Sequence, residues 1–388
     1  MVVNRVIYAI ALIGALCTFI ATNSAAALTL TIAVALAPFA GISASLFASK
    51  KTRVTFETQP SCTVGQDQAL EISLQRPMPL RGRMELSLSC HNLLLETTEN
   101  VTVSLAPSIA RHEKYLFPLE TDTCGHIVVS LVSMRVIDIM GFTKIRVRQA
   151  KLSTSYTVYP PINDISIRTE RASFTTFSGS SYDRQKKGQD RTEVFEVRDF
   201  RNGDSLKSVH WKLSARFDDL LVREPSRPTE HNVVLLCDTH AYHLADAGQL
   251  GVLNATLGML ASISLALVRQ GVEHTVAQSD GKVLHTRFVE NRVHFDGMVD
   301  ELMDLPLPHG ATTDAAPFQL GKRTQMDTKV VLITNLPDDT LPAKLNEIAD
   351  LCVVRISSNG TAGVDESGGY PLIHLPVSAV AETKILEF

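Results

Sequence analysis

The sequence lacks the cysteine and charge patterns of disulfide-rich, zinc-binding or nucleic-acid-binding proteins. Its six cysteines are scattered and include no CxxC pair: Cys17, Cys62, Cys90, Cys124, Cys237 and Cys352. This spacing argues against a disulfide framework or a zinc ribbon, and it fits a reducing compartment in which the cysteines are small buried residues. The formal net charge of −4 gives no reason to expect a nucleic-acid partner.

Charged residues are also missing from a long stretch near the start, between Val6 and Ser49. As one helix this stretch would be roughly 65 Å long, about twice the hydrocarbon thickness of a bilayer. Two spans joined by a turn resolve the mismatch, and the polar residues Thr22–Ser24 are suited to that turn. We therefore predict a transmembrane hairpin in residues 1–50, with helices at about 5–22 and 28–48.

Basic residues flank both outer ends of this hairpin. Arg5 precedes the first span, and Lys50, Lys51 and Arg53 follow the second. Because basic flanks stay in the cytoplasm, the pattern predicts a multi-pass protein of the lipid bilayer with the bulk of the chain cytoplasmic. The alternative is a signal peptide cleaved near "SAAAL" after Ser24, which would leave the second span as an anchor.

The rest of the chain divides by its hydrophobic pattern. Residues 53–158 contain seven or eight short alternating segments such as "RMELSLS", which predict a β-sandwich of immunoglobulin-like architecture. Residues 160–192 are polar and rich in Ser, Gly, Arg and Lys, which predicts a linker. Residues 229–388 alternate apolar strands with helices, which predicts a Rossmann-like α/β domain with helices on both faces of a parallel sheet.

The position after the first strand of that α/β domain is where ligands of such sheets bind. A von Willebrand A-type domain has Asp-x-Ser-x-Ser there, and its oxygens hold a divalent cation. Here Asp238 is followed by His240 and Tyr242 in place of the two serines. Imidazole and phenol are poor ligands for magnesium, so we predict a degenerate metal site that binds no metal and no cofactor.

Each enzyme signature sought in the sequence is either incomplete or missing. "GKRT" at Gly321–Thr324 has Ala316 where a phosphate loop needs its first glycine, and no Gly-x-Ser-x-Gly elbow occurs. Two constellations keep an enzyme open as the alternative, either a membrane-bound hydrolase or a metal-dependent enzyme. They are Asp204 with His210 and Ser214, and Asp238 with His240, His243 and Asp246.

Residues 193–228 hold the only tryptophan of the chain, in "FRNGDSLKSVHWKLSARFDDLLVRE". Asn202–Asp204 is a turn signal, and Asp204 or Ser205 can cap a helix. A helix is predicted after it, with one apolar face formed by Leu206, Val209, Leu213 and Phe217. Strands are predicted on both sides. Either Trp211 and the charged residues of this insert (Arg198, Asp204, Arg216 and Glu224) hold it on the sheet, or they form a docking surface.

This segment resembles the signature of the bacterial domain-of-unknown-function 58 family, which runs Arg-x-Tyr-x-x-Gly-Asp, Ile-x-Trp, Ser-Ala-Arg and a closing Glu. The matching positions are Arg198, Gly203, Asp204, Trp211, Ser214, Ala215, Arg216 and Glu224, with His210 beside the tryptophan. Phe200, Lys207 and Val209 replace the Tyr, an Arg and the Ile of the pattern. "CGHIVVSLVSMRVIDIMGF", "TVYPPI" and the predicted hairpin also resemble the family.

The resemblance implies a bacterial inner-membrane protein with a von Willebrand A-like domain, and a MoxR-type AAA+ ATPase as a partner. It implies no established activity. Together with the missing catalytic signatures, it predicts a non-enzymatic scaffold. This scaffold would dock a protein partner through the insert, in the assembly or maturation of envelope proteins.

Overall fold

The computed structural model contains two compact units. Met1–Pro161 and Asp300–Leu307 form the first, and Ile162–Val299 and Pro308–Phe388 form the second. The structure describes residues 2–75, 82–106, 112–138, 140–147, 151–168, 182–199, 209–217, 220–228, 233–239, 247–279, 283–308, 328–366 and 368–387.

Two apolar helices open the chain, α1 (Val2–Thr22) and α2 (Ala25–Lys51). The helix break lies at Asn23 and Ser24, inside the predicted turn, and Ser24 Oγ accepts a capping hydrogen bond from the Ala27 amide at 3.2 Å. The two helices are hydrogen-bonded to each other, since the Tyr8 hydroxyl donates to the Val34 carbonyl at 3.1 Å. The predicted pair of helices is confirmed, with slightly wider bounds.

Three described helices are long and apolar enough to cross a membrane: Val3–Thr22, Ala25–Ser43 and Gly248–Arg269. The first two expose large apolar side chains such as Ile7, Ile20 and Phe39. Such surfaces are unfavourable in water and favourable in lipid. The third helix is 89% buried inside the protein, which makes it a core element of the second unit. The N-terminal pair is therefore suited to anchoring the chain in a membrane.

The first unit continues as two β-sheets. Its strands are β1 (Arg53–Glu57), β2 (Ser61–Thr63), β3 (Gln68–Gln75), β4 (Arg83–Asn92), β5 (Thr97–Leu105), β6 (His112–Leu119), β7 (Gly125–Ile137), β8 (Lys144–Val147) and β9 (Ser153–Tyr159). One sheet has the order β1-β3-β6, and the other has the order β2-β9-β7-β4-β5 with β8 paired to β7. The alternating segments of the sequence all form strands here.

One core joins these two sheets. Ile72 and Leu74 of β3 are buried with Leu86 of β4 and Val129 of β7, and Tyr156 of β9 is buried with them. The strands alternate buried and outward residues, as β4 does from Arg83 onward. Each sheet thus buries its apolar residues mainly on its inner face, as the alternation predicted, although Leu116 of β6 and Val132 of β7 are exposed.

The second unit is built on a seven-stranded mixed sheet. Its strands are β13 (Val233–Asp238), β14 (His274–Ser279), β15 (Leu284–Val289), β16 (Lys329–Thr334), β17 (Asp350–Ser357), β18 (Gly363–Asp365) and β19 (Leu372–Pro376). The order is β15-β14-β13-β16-β17-β19-β18, with the five central strands parallel and both edge strands antiparallel. The described helices are α3 (Trp211–Phe217), α4 (Ala247–Arg269), α5 (Arg292–Asp304), α6 (Thr340–Asn346) and α7 (Val377–Val380). The last residues of α5, from Asp300 on, belong to the first unit.

Helix α4 is followed by a glycine that closes its last turn. Gly271 follows the helix in a left-handed conformation (φ +72°), which a side chain with a Cβ would strain. The Val272 amide donates to the Leu267 carbonyl at 2.9 Å, and the Gly271 amide donates to the Val268 carbonyl at 3.1 Å. This paired arrangement satisfies carbonyl groups that the helix end would otherwise leave unpaired.

Some expectations need correction. The predicted linker 160–192 contains β10 (Ser166–Arg168) and the first part of β11 (Tyr182–Asp199), and β10 pairs in parallel with the C-terminal β20 (Ile385–Glu387). Strand β11 pairs with β12 (Leu221–Pro228).

Candidate functional site

Helix α3 is attached to strand β12 by its first residues. Val209 forms a β-bridge with Val222 instead of lying on the helix, as the sequence analysis had placed it. The His210 amide then donates to the Leu221 carbonyl at 2.7 Å, and the helix begins at Trp211. The predicted apolar face is therefore wrong at its start, because an extended bridge precedes the helix. Leu206 lies outside the described residues.

Ser214 fixes the other side of α3 to the same strand. Its side chain is buried, and its Oγ accepts a hydrogen bond from the Leu221 amide at 2.9 Å. The hydroxyl lies 3.2 Å from the His210 carbonyl, to which it donates. Nδ1 of His210 accepts from the Leu213 amide at 3.3 Å. Ser214 and His210 thus each bind backbone groups. These contacts have a structural role, because they attach α3 to β12.

Trp211 is 61% exposed, with most of its indole in solvent. The neighbouring Lys212 and Arg216 are exposed too, as is Ala215. An exposed tryptophan does not hold the insert on the sheet, which removes that interpretation for Trp211. The helix instead presents an aromatic ring beside two basic side chains.

The other positions of the signature lie around this helix. Arg198 pairs in register with Val222, and Glu224 pairs with Glu196, both in the β11–β12 ladder. Gly203 and Asp204 lie outside the described residues, so the catalytic group proposed around Asp204 cannot be assembled from the described part of the chain.

A second polar site lies at the carboxyl ends of the central parallel strands. Asp238 of β13, Thr334 of β16 and Arg355 of β17 are in register across three neighbouring strands. Thr334 Oγ1 donates to Asp238 Oδ2 at 3.3 Å and accepts from the Leu336 amide at 3.0 Å. This row lies where the strand order reverses, between β13 and β16, the crevice in which open α/β sheets bind ligands.

Ion pairing continues this row beyond Arg355. The Arg355 guanidinium binds the Asp339 carboxylate just before α6, while its Nε is buried without a hydrogen-bond partner among the described residues. Burial raises the pKa of the nearby Tyr370 hydroxyl, and the Asp339 charge adds to that shift. Hydrogen bonds from Thr340 lower the pKa of Asp338. The carboxyl edge is therefore polar and charged.

One glutamine beside this row is buried without partners. Gln278, at the end of β14, is 3% exposed, and neither atom of its amide has a hydrogen-bond partner among the described residues. It pairs in register with Cys237, whose pKa burial raises to about 12. A thiol held neutral in this way is a poor nucleophile. Burial also raises the pKa of Cys352 to about 12.

The proposed metal-site positions are only partly described. Asp238 is in place, whereas His240, Tyr242, His243 and Asp246 lie outside the described residues. Among the residues that the structure does describe, there is no group of three His, Cys, Asp or Glu side chains able to hold a metal ion. Thr334 and Arg355 were not among the predicted site residues. They end predicted strands, but only the strand order places them beside Asp238.

An open groove of about 680 Å³ lies elsewhere, on the β1-β3-β6 sheet. Glu57, Asp67 and Glu71 are among its lining residues. Lys114 binds Glu71 at 2.6 Å, and this hydrogen bond lowers the pKa of the carboxyl. The groove contains none of the residues that the sequence analysis selected.

These features define a mixed α/β protein with two apolar N-terminal helices and a polar site at the switch point of its C-terminal sheet. Residues 196–356 match the family described as "Protein of unknown function DUF58". The match covers α3 and the sheet up to β17. No protein of curated function matches the chain.

Solved structures add little to this assignment. A cohesin module from a family 33 glycoside hydrolase of Clostridium perfringens is 12% identical, with a TM-score of 0.20, covering 28% of this chain and 97% of its own. The CARDB domain of a Pyrococcus furiosus protein, solved with di-metal ions, is 13% identical with a TM-score of 0.19. It covers 28% of this chain and 87% of its own. Scores this low carry no structural argument.

Proposed function

We propose that this protein is a non-enzymatic, membrane-anchored scaffold that docks a protein partner through α3. The N-terminal helices form a two-pass anchor in the bacterial inner membrane, and the bulk of the chain is cytoplasmic. The partner is a MoxR-type AAA+ ATPase, as the family resemblance implies, and the process is assembly or maturation of envelope proteins.

The strand order supports a von Willebrand A-like second unit. Numbered along the chain, the seven strands have the order 3-2-1-4-5-7-6. Without the short antiparallel edge strand β18 this is the doubly wound order 3-2-1-4-5-6, and the other edge strand, β15, is also antiparallel. For the first unit, two sheets around one core favour an immunoglobulin-like sandwich.

The exposed tryptophan of α3 is the observation that carries the docking proposal. Exposed indole is costly in water, and tryptophan and arginine are enriched among the residues that dominate interface energies. Trp211 and Arg216 lie on one short helix, which Ser214 holds rigidly against β12. A rigid aromatic and basic surface fits a partner with an apolar pocket rimmed by acidic residues.

Affinity capture tests this proposal. The full chain, purified from native membranes with ATP trapped by a slowly hydrolysed analogue, should recover the MoxR-type ATPase. Trp211→Ala should lower the recovery at least ten-fold, since truncation of an interface tryptophan costs roughly 2 kcal/mol or more. Phe288→Ala is the matched control, because Phe288 is about half exposed and lies on β15, away from the signature. Equal recovery with both variants would reject α3 as the docking surface.

Topology has its own test. A reporter that is active only outside the cytoplasm, fused after Phe388, should be inactive, and a cytoplasmic reporter at the same point should be active. The opposite result would overturn the cytoplasmic assignment while leaving the docking surface open to the capture experiment.

A further inference from the structure

The outer face of the larger sheet in the first unit carries a cluster of basic side chains at its β8 edge. Met84 and Leu86 of β4 and Met134 and Val136 of β7 point into the core, so the residues between and beside them point outward. The outward residues at this edge include four basic side chains. We call Arg83, Arg135, Lys144 and Arg146 the basic face.

Like charges lie directly opposite each other on this face. Arg135 of β7 pairs in register with Arg146 of β8 on one side and with Glu85 of β4 on the other. Glu85 is the single acidic residue of these three strands, and Lys144 Nζ binds its carboxylate at 3.1 Å. Among the described residues, the side chains of Arg83, Arg135 and Arg146 have no ion pair or hydrogen bond.

This charge arrangement is unfavourable by itself, because like charges opposite each other on neighbouring strands repel. An anion that lies across Arg135 and Arg146 would remove the repulsion and gain two charge-assisted hydrogen bonds. The pairing of Arg135 with Arg146 therefore favours binding of an anion at this edge of the sheet.

The basic face begins beside the helical hairpin. The turn between β7 and β8 contacts the start of α1, where Asn4 Nδ2 donates to the Met140 carbonyl at 2.8 Å. The Arg5 guanidinium donates to the Phe142 carbonyl at 2.6 Å, and the rings of Tyr8 and Phe142 meet edge-on at 5.1 Å. Helix α2 also packs against β7 and β8. An aromatic pair at this level is typical of a membrane interface.

The basic face lies a short distance along the strands from the contact with the hairpin. Lys144 directly follows the turn, and Arg135 and Arg146 lie two residues farther along their strands, about 7 Å away. This is within the Debye length of about 8 Å at physiological salt, so the charges act on anions at the bilayer surface. We propose that the basic face binds the anionic headgroups of phospholipids around the hairpin. The proposal rests on the membrane anchoring, and it is independent of docking through α3.

Reconstitution of the full chain tests this surface. The protein is placed in nanodiscs that contain equal amounts of phosphatidylglycerol and phosphatidylcholine, and the lipids that it retains on gentle release are counted by native mass spectrometry. We expect wild-type protein to retain phosphatidylglycerol preferentially. Arg135→Gln/Arg146→Gln should reduce that preference by roughly five-fold for each arginine, the contribution of one basic residue near an anionic surface. Higher salt should reduce it as well.

The matched control is Arg168→Gln/Arg292→Gln, which removes two exposed arginines of the second unit. This variant should keep the wild-type preference. An Arg135→Gln/Arg146→Gln protein with unchanged preference, or a control that loses it equally, would overturn the proposal. So would a lower unfolding midpoint for Arg135→Gln/Arg146→Gln, because relief of repulsion should leave stability unchanged or higher. A chain that fails to enter the nanodiscs contradicts both the anchoring and the surface, whereas lost selectivity alone contradicts the surface only.

Discussion

Ser264 of α4 and His274 of β14 form a buried hydrogen bond, with Ser264 Oγ 2.7 Å from Nε2 of the imidazole. Nδ1 of the same ring lies 3.0 Å from the Val272 carbonyl, so Nδ1 carries the proton and Nε2 accepts from the serine hydroxyl. The ring is 2% exposed, and burial lowers its pKa. His274 is therefore held neutral and joins the core helix to the sheet.

This pair predicts a pH dependence of stability. The folded ring has a lowered pKa, so at pH below about 6.5 the unfolded chain binds a proton that the folded chain does not. Stability should fall as the pH drops below that value and should level off once the folded pKa is passed. His274→Gln should remove this component. The thermal unfolding midpoint of the full chain in detergent, compared between about pH 5 and pH 8, checks it. Parallel curves for the two proteins would contradict the prediction.

Ser214→Ala should destabilise the insert, whereas Trp211→Ala should not. The alanine leaves the half-buried Leu221 amide without its acceptor, which costs about 1 kcal/mol. Trp211 is exposed and contributes little to the fold. Hydrogen exchange at residues 209–222 should accelerate in the serine variant only. Equal acceleration in both would show that the indole packs against the strand.

Gln278→Met should stabilise the second unit by about 1–2 kcal/mol, because it removes a buried amide that has no partner among the described residues. Gln270→Met is the matched control and should be neutral or destabilising, since Gln270 Nε2 donates to the Ile167 carbonyl at 3.1 Å. Denaturant unfolding of the full chain measures both. A destabilised Gln278→Met protein would mean that the amide binds a group essential to the fold.

Magnesium or EDTA should leave the unfolding midpoint unchanged. Asp238 binds the Thr334 hydroxyl, and His240 and Tyr242 stand where a divalent-cation site needs oxygen donors. A bound ion at about 100 times its Kd would add about 2.7 kcal/mol, a shift that calorimetry detects easily. Asp238→Asn serves as the control. A magnesium-dependent rise that Asp238→Asn abolishes would contradict the degenerate-site prediction.

Much of the fold was predictable because its signals are local. The break at Asn23 and Ser24 depends on a few neighbouring residues, and it lies inside the predicted turn. The alternation along β4 also identified its inner and outer faces. The start of α3 was missed because a tertiary bridge from Val209 to Val222 overrides the helical spacing of Leu206, Val209 and Leu213.

The candidate site was predictable only in part. Asp238 follows a strand that reads as buried, so the sequence pointed to it directly. Arg355 carried no such signal, since a single arginine near a strand end is ordinary. Arg355 lies beside Thr334 only because β17 pairs with β16 in the sheet.

The sequence by itself determined the pair of apolar N-terminal helices, most strands and helices of both units, and the match of residues 196–356 to the DUF58 family, because apolar periodicity and a signature motif are properties of short segments. Only the tertiary structure decided that Trp211 is exposed, that Ser214 attaches α3 to β12, and that Arg135 faces Arg146. Those relationships depend on which strands pair and in which register, and pairing is set by burial of the whole core rather than by any local run of residues.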